Sequence, residues 1–178
     1  NLRYRDNLPL VLRNLSLSIK SGEKIGICGR TGAGKSSIMT ALYRLTEIEN
    51  GAIEIDGLDI STMPLATLRS QLCIIPQDPV LFKGTIRSNL DPFHNSSDDE
   101  LWDALRRSGL IELSQLDTVK KQQIQGTDLS ALHKFHLDQP IQEEGKNLSL
   151  GERQLLALAR ALVKKTKILI LDEATSSV

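Results

Sequence analysis

Leu15, Leu17 and Ile19 alternate with Ser16, Ser18 and Lys20, the period of two that belongs to a half-buried strand. Gly22 breaks the alternation, and residues 24–28 give a second short strand. Ile38, Ala41, Leu42 and Leu45 then recur at i, i+3, i+4 and i+7, which predicts a helix with one apolar stripe. Residues 52–54 and 58–60 flank Asp56-Gly57, the dipeptide of a tight hairpin. Residues 72–75 (LCII) read as a continuous apolar strand closed by Pro76. Ser97-Asp98-Asp99-Glu100 reads as a capping box ahead of Leu101, Trp102 and Leu105, with Gly109 as the stop. From about residue 120 to 145 the chain is rich in Gln, Asp and Glu and weakly periodic, which predicts a surface insertion or long loop. A helix over 152–163 and a buried strand over 168–171 close the pattern. Strand, glycine-rich turn, helix and a later apolar strand make an α/β chain, without internal repeats.

Composition narrows the function. A chain of 178 residues fits one domain and can bury roughly 70% of its unfolded surface. Twenty-two basic residues balance twenty-two acidic ones, which argues against a chain built to hold nucleic acid or an anionic membrane face. Three Phe, two Tyr and one Trp are too few for a base-stacking platform. Cys28 and Cys73 both lie in apolar strand-like runs and read as buried, reduced thiols of a cytosolic setting. No apolar run approaches the roughly 20 residues of a membrane span. With no signal peptide and no initiating Met, the stretch reads as a piece of something longer. His133 and His136 stand at i, i+3, but no cysteine is near and the surroundings are polar, so a solvated insertion is expected rather than a metal pair.

Chemistry enters at residues 29–36, GRTGAGKS, which match G-x-x-x-x-G-K-[ST] in full. Gly29, Gly32 and Gly34 let the backbone curl so that several N–H groups face phosphate oxygens. Lys35 brings a mobile positive charge to the β and γ phosphates, and the Ser36 hydroxyl can ligate Mg²⁺. The following helix aims its positive end at the same point. The four fixed positions coincide by chance about 4 × 10⁻⁵ of the time per site. A nucleoside triphosphate is the ligand this loop predicts.

Such a loop needs a carboxylate for the metal and a group to activate water. The run Ile168-Leu169-Ile170-Leu171-Asp172-Glu173 offers both: Asp172 near the metal, Glu173 to polarise the attacking water. Taken alone this run is weak, because many strands end in acidic turn residues. Upstream, Leu148-Ser149-Leu150-Gly151-Glu152-Arg153-Gln154 reads equally as a plain helix start, since Ser149 and Glu152 form a capping box, or as a second anion site at a helix N-terminus.

Together these segments resemble the ATP-binding domain of an ABC transporter. Gln77 in IIPQDPVLF resembles that family's Q-loop, and Tyr4 in LRYRDNLPLVL its adenine-stacking A-loop. KIGICGRTGAGKSS and GTIRSNLDPF resemble the second nucleotide-binding domain of the multidrug-resistance-protein (C) subfamily. HKFHLDQ with the following EEG and LSLGERQLLALARAL is similar to fungal permeases of the oligomycin-resistance type. The implied fold is a P-loop NTPase of ABC type, with a mixed sheet core plus antiparallel β and helical subdomains. The ATP-binding core would span about 1–77 and 155–178, and the helical subdomain about 78–154.

The resemblance also implies roles. Tyr4 stacks on adenine, and Gly29, Arg30, Thr31, Gly32, Ala33, Gly34, Lys35, Ser36 and Ser37 hold the phosphates of ATP. Ser36, Gln77 and Asp172 surround Mg²⁺, with Gln77 also in the catalytic set and Glu173 as general base. Ser149 and Gly151 meet the γ-phosphate of a nucleotide on a first ATP-binding domain, in a head-to-tail pair. Leu150 replaces the commoner glycine of the LSGGQ form, and Glu152 its glutamine. The carboxylate at Glu173, which first domains of the subfamily often lack, marks this as the hydrolytically competent half. The partners implied are that first domain, transmembrane domains and a transported small molecule. Nucleic acid is not among them. The place implied is the cytosolic face of a membrane, plasma membrane ahead of vacuole. Because His94, His133 and His136 all precede Asp172 and the chain stops at Val178 inside what resembles the D-loop, the domain reads as C-terminally truncated. The fragment alone is expected to be inactive. Two other classes stay open: a soluble non-transporter ABC ATPase, for which there is no room for a long coiled coil, and a regulatory module that binds nucleotide without hydrolysing it.

Overall fold

The computed structural model describes residues 1–122 and 129–172. The chain divides into two compact units, Asn1–Leu72 and Cys73–Val178.

In the first unit, α1 (Lys35–Leu42) follows the glycine-rich loop. It is shorter than the apolar stripe, because Arg44 takes a left-handed φ of 47° and ends it before Leu45. The hairpin forms where expected. β1 (Glu54–Ile55) pairs antiparallel with β2 (Leu58–Asp59) in the register Glu54↔Asp59 and Ile55↔Leu58. Asp56 and Gly57 both have positive φ, 52° and 77°, the geometry of a two-residue I′ turn whose twist suits the strands. A 3₁₀ turn (Ile60–Thr62), capped by Asp59, and the helix α2 (Leu65–Ser70) follow.

Arg44 donates to the carbonyls of Ile60 and Met63 (2.9 and 2.8 Å), and Arg69 to those of Tyr43 and Arg44 (3.1 and 3.2 Å). Tyr43 and Arg44 follow the end of α1, where carbonyls lack intrahelical donors. Leu2, Ala41, Ile60, Leu68 and Leu72 are the buried apolar side chains of this unit. An isolated antiparallel bridge joins Leu2 to Leu12.

Two expectations fail here. Residues 15–19 and 24–28 form no strand, and Leu15, Leu17, Ile19, Ile25 and Ile27 are exposed. Alternation selects a strand only where a neighbour supplies ladder hydrogen bonds and a surface to bury the apolar face. Among the described residues no segment pairs with either run. For the same reason Cys28 is exposed, against expectation, whereas Cys73 is buried.

The second unit opens on β3 (Leu72–Ile75), which begins at the boundary and is laddered to β6 (Ile168–Leu171). Between them lie β4 (Gly84–Thr85), α3 (Ile86–Leu90), α4 (Asp98–Arg107), α5 (Leu113–Lys120), β5 (Pro140–Ile141) and α6 (Leu150–Lys164). The Ser97 and Glu100 capping box is present at α4, as its sequence predicts. The α6 helix packs on α3 and α4. Leu101, Leu105, Leu156 and Ala159 lie in the main core, with Ile86, Leu90 and Trp102.

Of the polar stretch from 120 to 145, the described residues 129–145 are not a surface insertion. The α5 helix runs into it, and Leu132, Phe135, Leu137 and Ile141 are all buried, three of them in that core. Ile86 and Arg87 donate backbone hydrogen bonds to Gln139 and Leu137 at 3.0 and 2.8 Å. β5 closes the antiparallel pair Gly84↔Ile141 and Thr85↔Pro140. Apart from Ile141 in the two-residue β5, the apolar anchors come from successive turns rather than a regular element, so no period announces them.

His136 shares this correction. It is buried, with its ring edge-on to Trp102 at 5.2 Å, and its Nδ1 accepts the Asp138 amide at 3.2 Å. Burial pushes its pKa below the ordinary 6.5, with Arg87 and His133 acting the same way and Asp138 opposing. The unfolded chain therefore binds more protons near pH 6.5 than the folded one, so stability falls as pH drops through that value. Chemical denaturation between pH 7.5 and 5.5 is expected to show this loss, and His136→Phe to flatten it. A histidine variant with the same slope as the parent would contradict the assignment.

Candidate nucleotide site

Gly34 sits at the N-cap of α1 with φ 91° and ψ 11°. A Cβ there would lie 3.2 Å from the Leu12 side chain and from the Val11 carbonyl, so both conformation and space demand glycine. Gly32, with φ 81°, supplies the second left-handed turn. No side chain caps the first turn of α1, and a helix start leaves its leading N–H groups to be satisfied from outside. An anion is the acceptor such a curl suits. Thr31, Gly32 and Ala33 are exposed, as are Gly29, Arg30 and Ser36, so the loop is open to a ligand.

Lys35 is folded onto that loop, where its ammonium donates to the carbonyls of Gly29 at 2.7 Å and Arg30 at 3.2 Å. These are neutral acceptors, and a phosphate oxygen is a stronger, charge-assisted one. The Ser37 hydroxyl turns to Tyr4. Ser37 is buried, and its Oγ shares a hydrogen bond of 2.8 Å with the Tyr4 hydroxyl. That bond anchors the tip of Tyr4 beside the start of α1 and leaves the residue 46% exposed. The apolar body of the ring is therefore available for stacking while its polar end is satisfied.

The remaining candidates lie in the second unit. The Asp172 amide donates to the Ile75 carbonyl at 3.0 Å, so the C-terminal ends of β3 and β6 meet. This brings Asp172, half-buried, and the exposed Gln77 to one end of the ladder. Ser149 is the N-cap of α6 and forms a full capping box. Its Oγ accepts the Glu152 amide at 3.2 Å, and its own amide donates to the Glu152 carboxylate at 2.8 Å. Burial pushes the Glu152 carboxyl up, but Lys134, 2.5 Å away, and the Ser149 amide outweigh it and hold the pKa below the usual range. Gly151 is half-buried in the first turn. Glu173 lies outside the described residues.

Two contributors went unseen in the sequence. Asn89, nearly fully buried, holds both the amide and the carbonyl of Phe82, at 2.9 and 2.8 Å. Arg160 spans the Asn89 carbonyl (2.7 Å), the Asn89 side-chain oxygen (3.2 Å) and the Val80 carbonyl (3.2 Å). Both fasten the segment after Gln77. Both lie inside segments that carry the family resemblance, GTIRSNLDPF and LSLGERQLLALARAL, but neither is a residue to which the resemblance assigns a role.

Residues 12–176 match the family described as ABC transporter. The chain belongs to that family. It is 67% identical over 177 residues to the oligomycin resistance ATP-dependent permease YOR1 of Saccharomyces cerevisiae, a match covering 98% of this chain and 12% of that protein. Human ATP-binding cassette sub-family C member 3 is 51% identical over 178 residues, covering 100% of this chain and 11% of the relative. A solved bacterial Atm1-family ABC exporter with ATP bound superimposes with a TM-score of 0.67 at 35% identity, over 84% of this chain and 23% of that one. The chain thus spans about an eighth of the length of these curated ABC transporters. The C-subfamily resemblance and the likeness to the oligomycin-resistance permease both hold, as does the ABC-type α/β fold. Among the described residues, no helix is long and apolar enough to cross a membrane.

Proposed function

We propose that this ABC transporter chain is the ATP-binding and ATP-hydrolysing part of an exporter that moves xenobiotics or organic anions across a membrane. The observation that carries the reading is the loop at residues 29–36, whose left-handed Gly34, uncapped helix start and inturned Lys35 form a phosphate cradle. In this reading Lys35 leaves the Gly29 and Arg30 carbonyls for the β and γ phosphates, while the N–H groups of residues 29–37 hold the rest of the chain of phosphates. Tyr4, fixed at its hydroxyl, stacks on adenine.

The oxygen donors Ser36, Gln77 and Asp172 suit a small hard cation: a hydroxyl, an amide carbonyl and a carboxylate. Mg²⁺ bound there would neutralise charge on the β and γ oxygens. Glu173 takes the proton of the attacking water, and Gln77 helps to orient that water. Ser149 and Gly151 face the γ-phosphate held by a first ATP-binding domain. The ATP-binding core would comprise residues 1–77 and 155–178, and residues 78–154 would carry its motion to transmembrane domains. The plasma membrane is the favoured location.

The test uses the intact protein in membranes. Mg²⁺-dependent ATP hydrolysis that rises with added organic anion or xenobiotic is expected. Activity found only in the soluble fraction would favour a non-transporter ATPase, and binding without turnover a regulatory module. Tyr4→Ala is expected to weaken ATP binding roughly 2- to 12-fold, the worth of one stacking contact. GTP is expected to bind within about an order of magnitude of ATP, because stacking reads the purine face rather than its edge. A competition titration with both nucleotides checks this, and unaltered affinity in the tyrosine variant would remove Tyr4 from the site.

A further inference from the structure

Gln154 lies one turn into α6 and is only 3% exposed. Its Nε2 donates to the Gln77 carbonyl at 3.1 Å, while its Oε1 is buried without a hydrogen-bond partner. A buried amide satisfied at one end is an expensive way to fill space, and a methionine or leucine would fill the same volume without stranding an acceptor. The one bond it does make reaches 77 residues back along the chain, to the peptide of the residue proposed to meet the metal and the water.

Other contacts run in the same direction. Arg153, its neighbour, is ion-paired with Asp78 at 3.6 Å. Arg160 holds the Val80 carbonyl. Below these, Cys73 and Ile75 of β3 pack on Ala157 and Ala161 of α6. The segment from β3 through residue 80 is therefore fastened to the helix whose N-cap is Ser149.

We propose that Gln154 is a positioning residue: its side-chain amide is a strut that fixes the Gln77 peptide relative to the first turn of α6. Gln77 and the Ser149–Gly151 segment then shift as one body. The mechanistic part of this rests on the ATPase reading above, in which Gln77 serves the chain's own nucleotide and Ser149–Gly151 the partner domain's. Through the strut, movement of Gln77 at one nucleotide is felt at the other.

The experiment compares Gln154→Met, which keeps the volume and loses the donor, and Gln154→Glu, which keeps the shape and loses the donor when ionised, with the parent in the intact protein. Amide hydrogen exchange is expected to quicken across residues 77–82 and to stay unchanged across Leu101–Leu105 of the core. The turnover number for ATP is expected to fall roughly 3- to 10-fold, the weight of one hydrogen bond. KM should stay within about twofold, since the phosphate cradle is intact. Unchanged exchange at 77–82, or a rise spread equally through the core, would overturn the strut, as would turnover equal to the parent's. Absence of ATP turnover in the parent itself would instead sink the ATPase reading, and the exchange comparison would still decide whether the strut exists.

Discussion

Lys35→Ala is expected to cost roughly 30- to 3,000-fold in ATP affinity while lowering the stability of the folded chain by only about 1 kcal/mol. The two effects separate because the ammonium has different partners in the two states. Without nucleotide it donates to two neutral carbonyls, those of Gly29 and Arg30, on a half-exposed side chain. Such bonds exchange readily with water and contribute only about 0.5–1.5 kcal/mol each. With nucleotide the same group would serve phosphate oxygens, where each charge-assisted bond is worth about 1.5–3 kcal/mol. Two of them make roughly 3–6 kcal/mol; less about 1 kcal/mol for the two exposed carbonyl bonds given up, about 2–5 kcal/mol remains, and about 1.4 kcal/mol is tenfold in affinity.

The α1 helix should survive the change, because its start is set by Gly34 and not by the lysine. Alanine is also a good helix former. Titration with a fluorescent ATP analogue, alongside thermal unfolding, reads both quantities on one preparation. Undiminished affinity in the variant would dismiss residues 29–36 as the triphosphate site, whatever their loop geometry.

The phosphate loop was legible because each of its requirements names a residue type. A left-handed φ with backbone 3.2 Å from the absent Cβ selects glycine at position 34, and a positive charge on a long stem selects lysine at 35. The capping boxes at Ser97 and Ser149 were legible for a similar reason, since both partners lie three residues apart. The Asp56-Gly57 turn needed only local geometry.

What the sequence hid depends on partners distant along the chain. Leu15, Leu17 and Ile19 carry the strand period, yet a strand exists only where a second one pairs with it, and period says nothing about the partner. Phe135, His136 and Leu137 are buried from within a segment whose composition is that of a loop. Their burial depends on α3 and α4 standing opposite. Tyr4 was assigned by resemblance, but its bond to Ser37, 33 residues away, was not. That bond commits the Ser37 hydroxyl to the support of Tyr4. The Gln154 amide hid inside a motif whose helix-start reading already accounted for Ser149 and Glu152.

Glu173→Gln is expected to lower ATP turnover by roughly 10²–10⁴ with nucleotide affinity retained. The amide matches the carboxylate in shape but cannot accept a proton from the attacking water, and water deprotonated by nothing is a poor nucleophile at neutral pH. In sequence the position follows Asp172, whose amide donates to the Ile75 carbonyl at the end of β3. This variant and Lys35→Ala fail in opposite ways. One binds and does not turn over, the other does not bind. In the intact protein, single-turnover hydrolysis measured at saturating ATP separates them, because saturation removes any contribution from affinity. A glutamine variant that traps ATP without cleaving it would fix Glu173 as the base. Turnover within threefold of the parent would show instead that the proton leaves by another route, and would return the regulatory reading to consideration only if the parent, too, is slow.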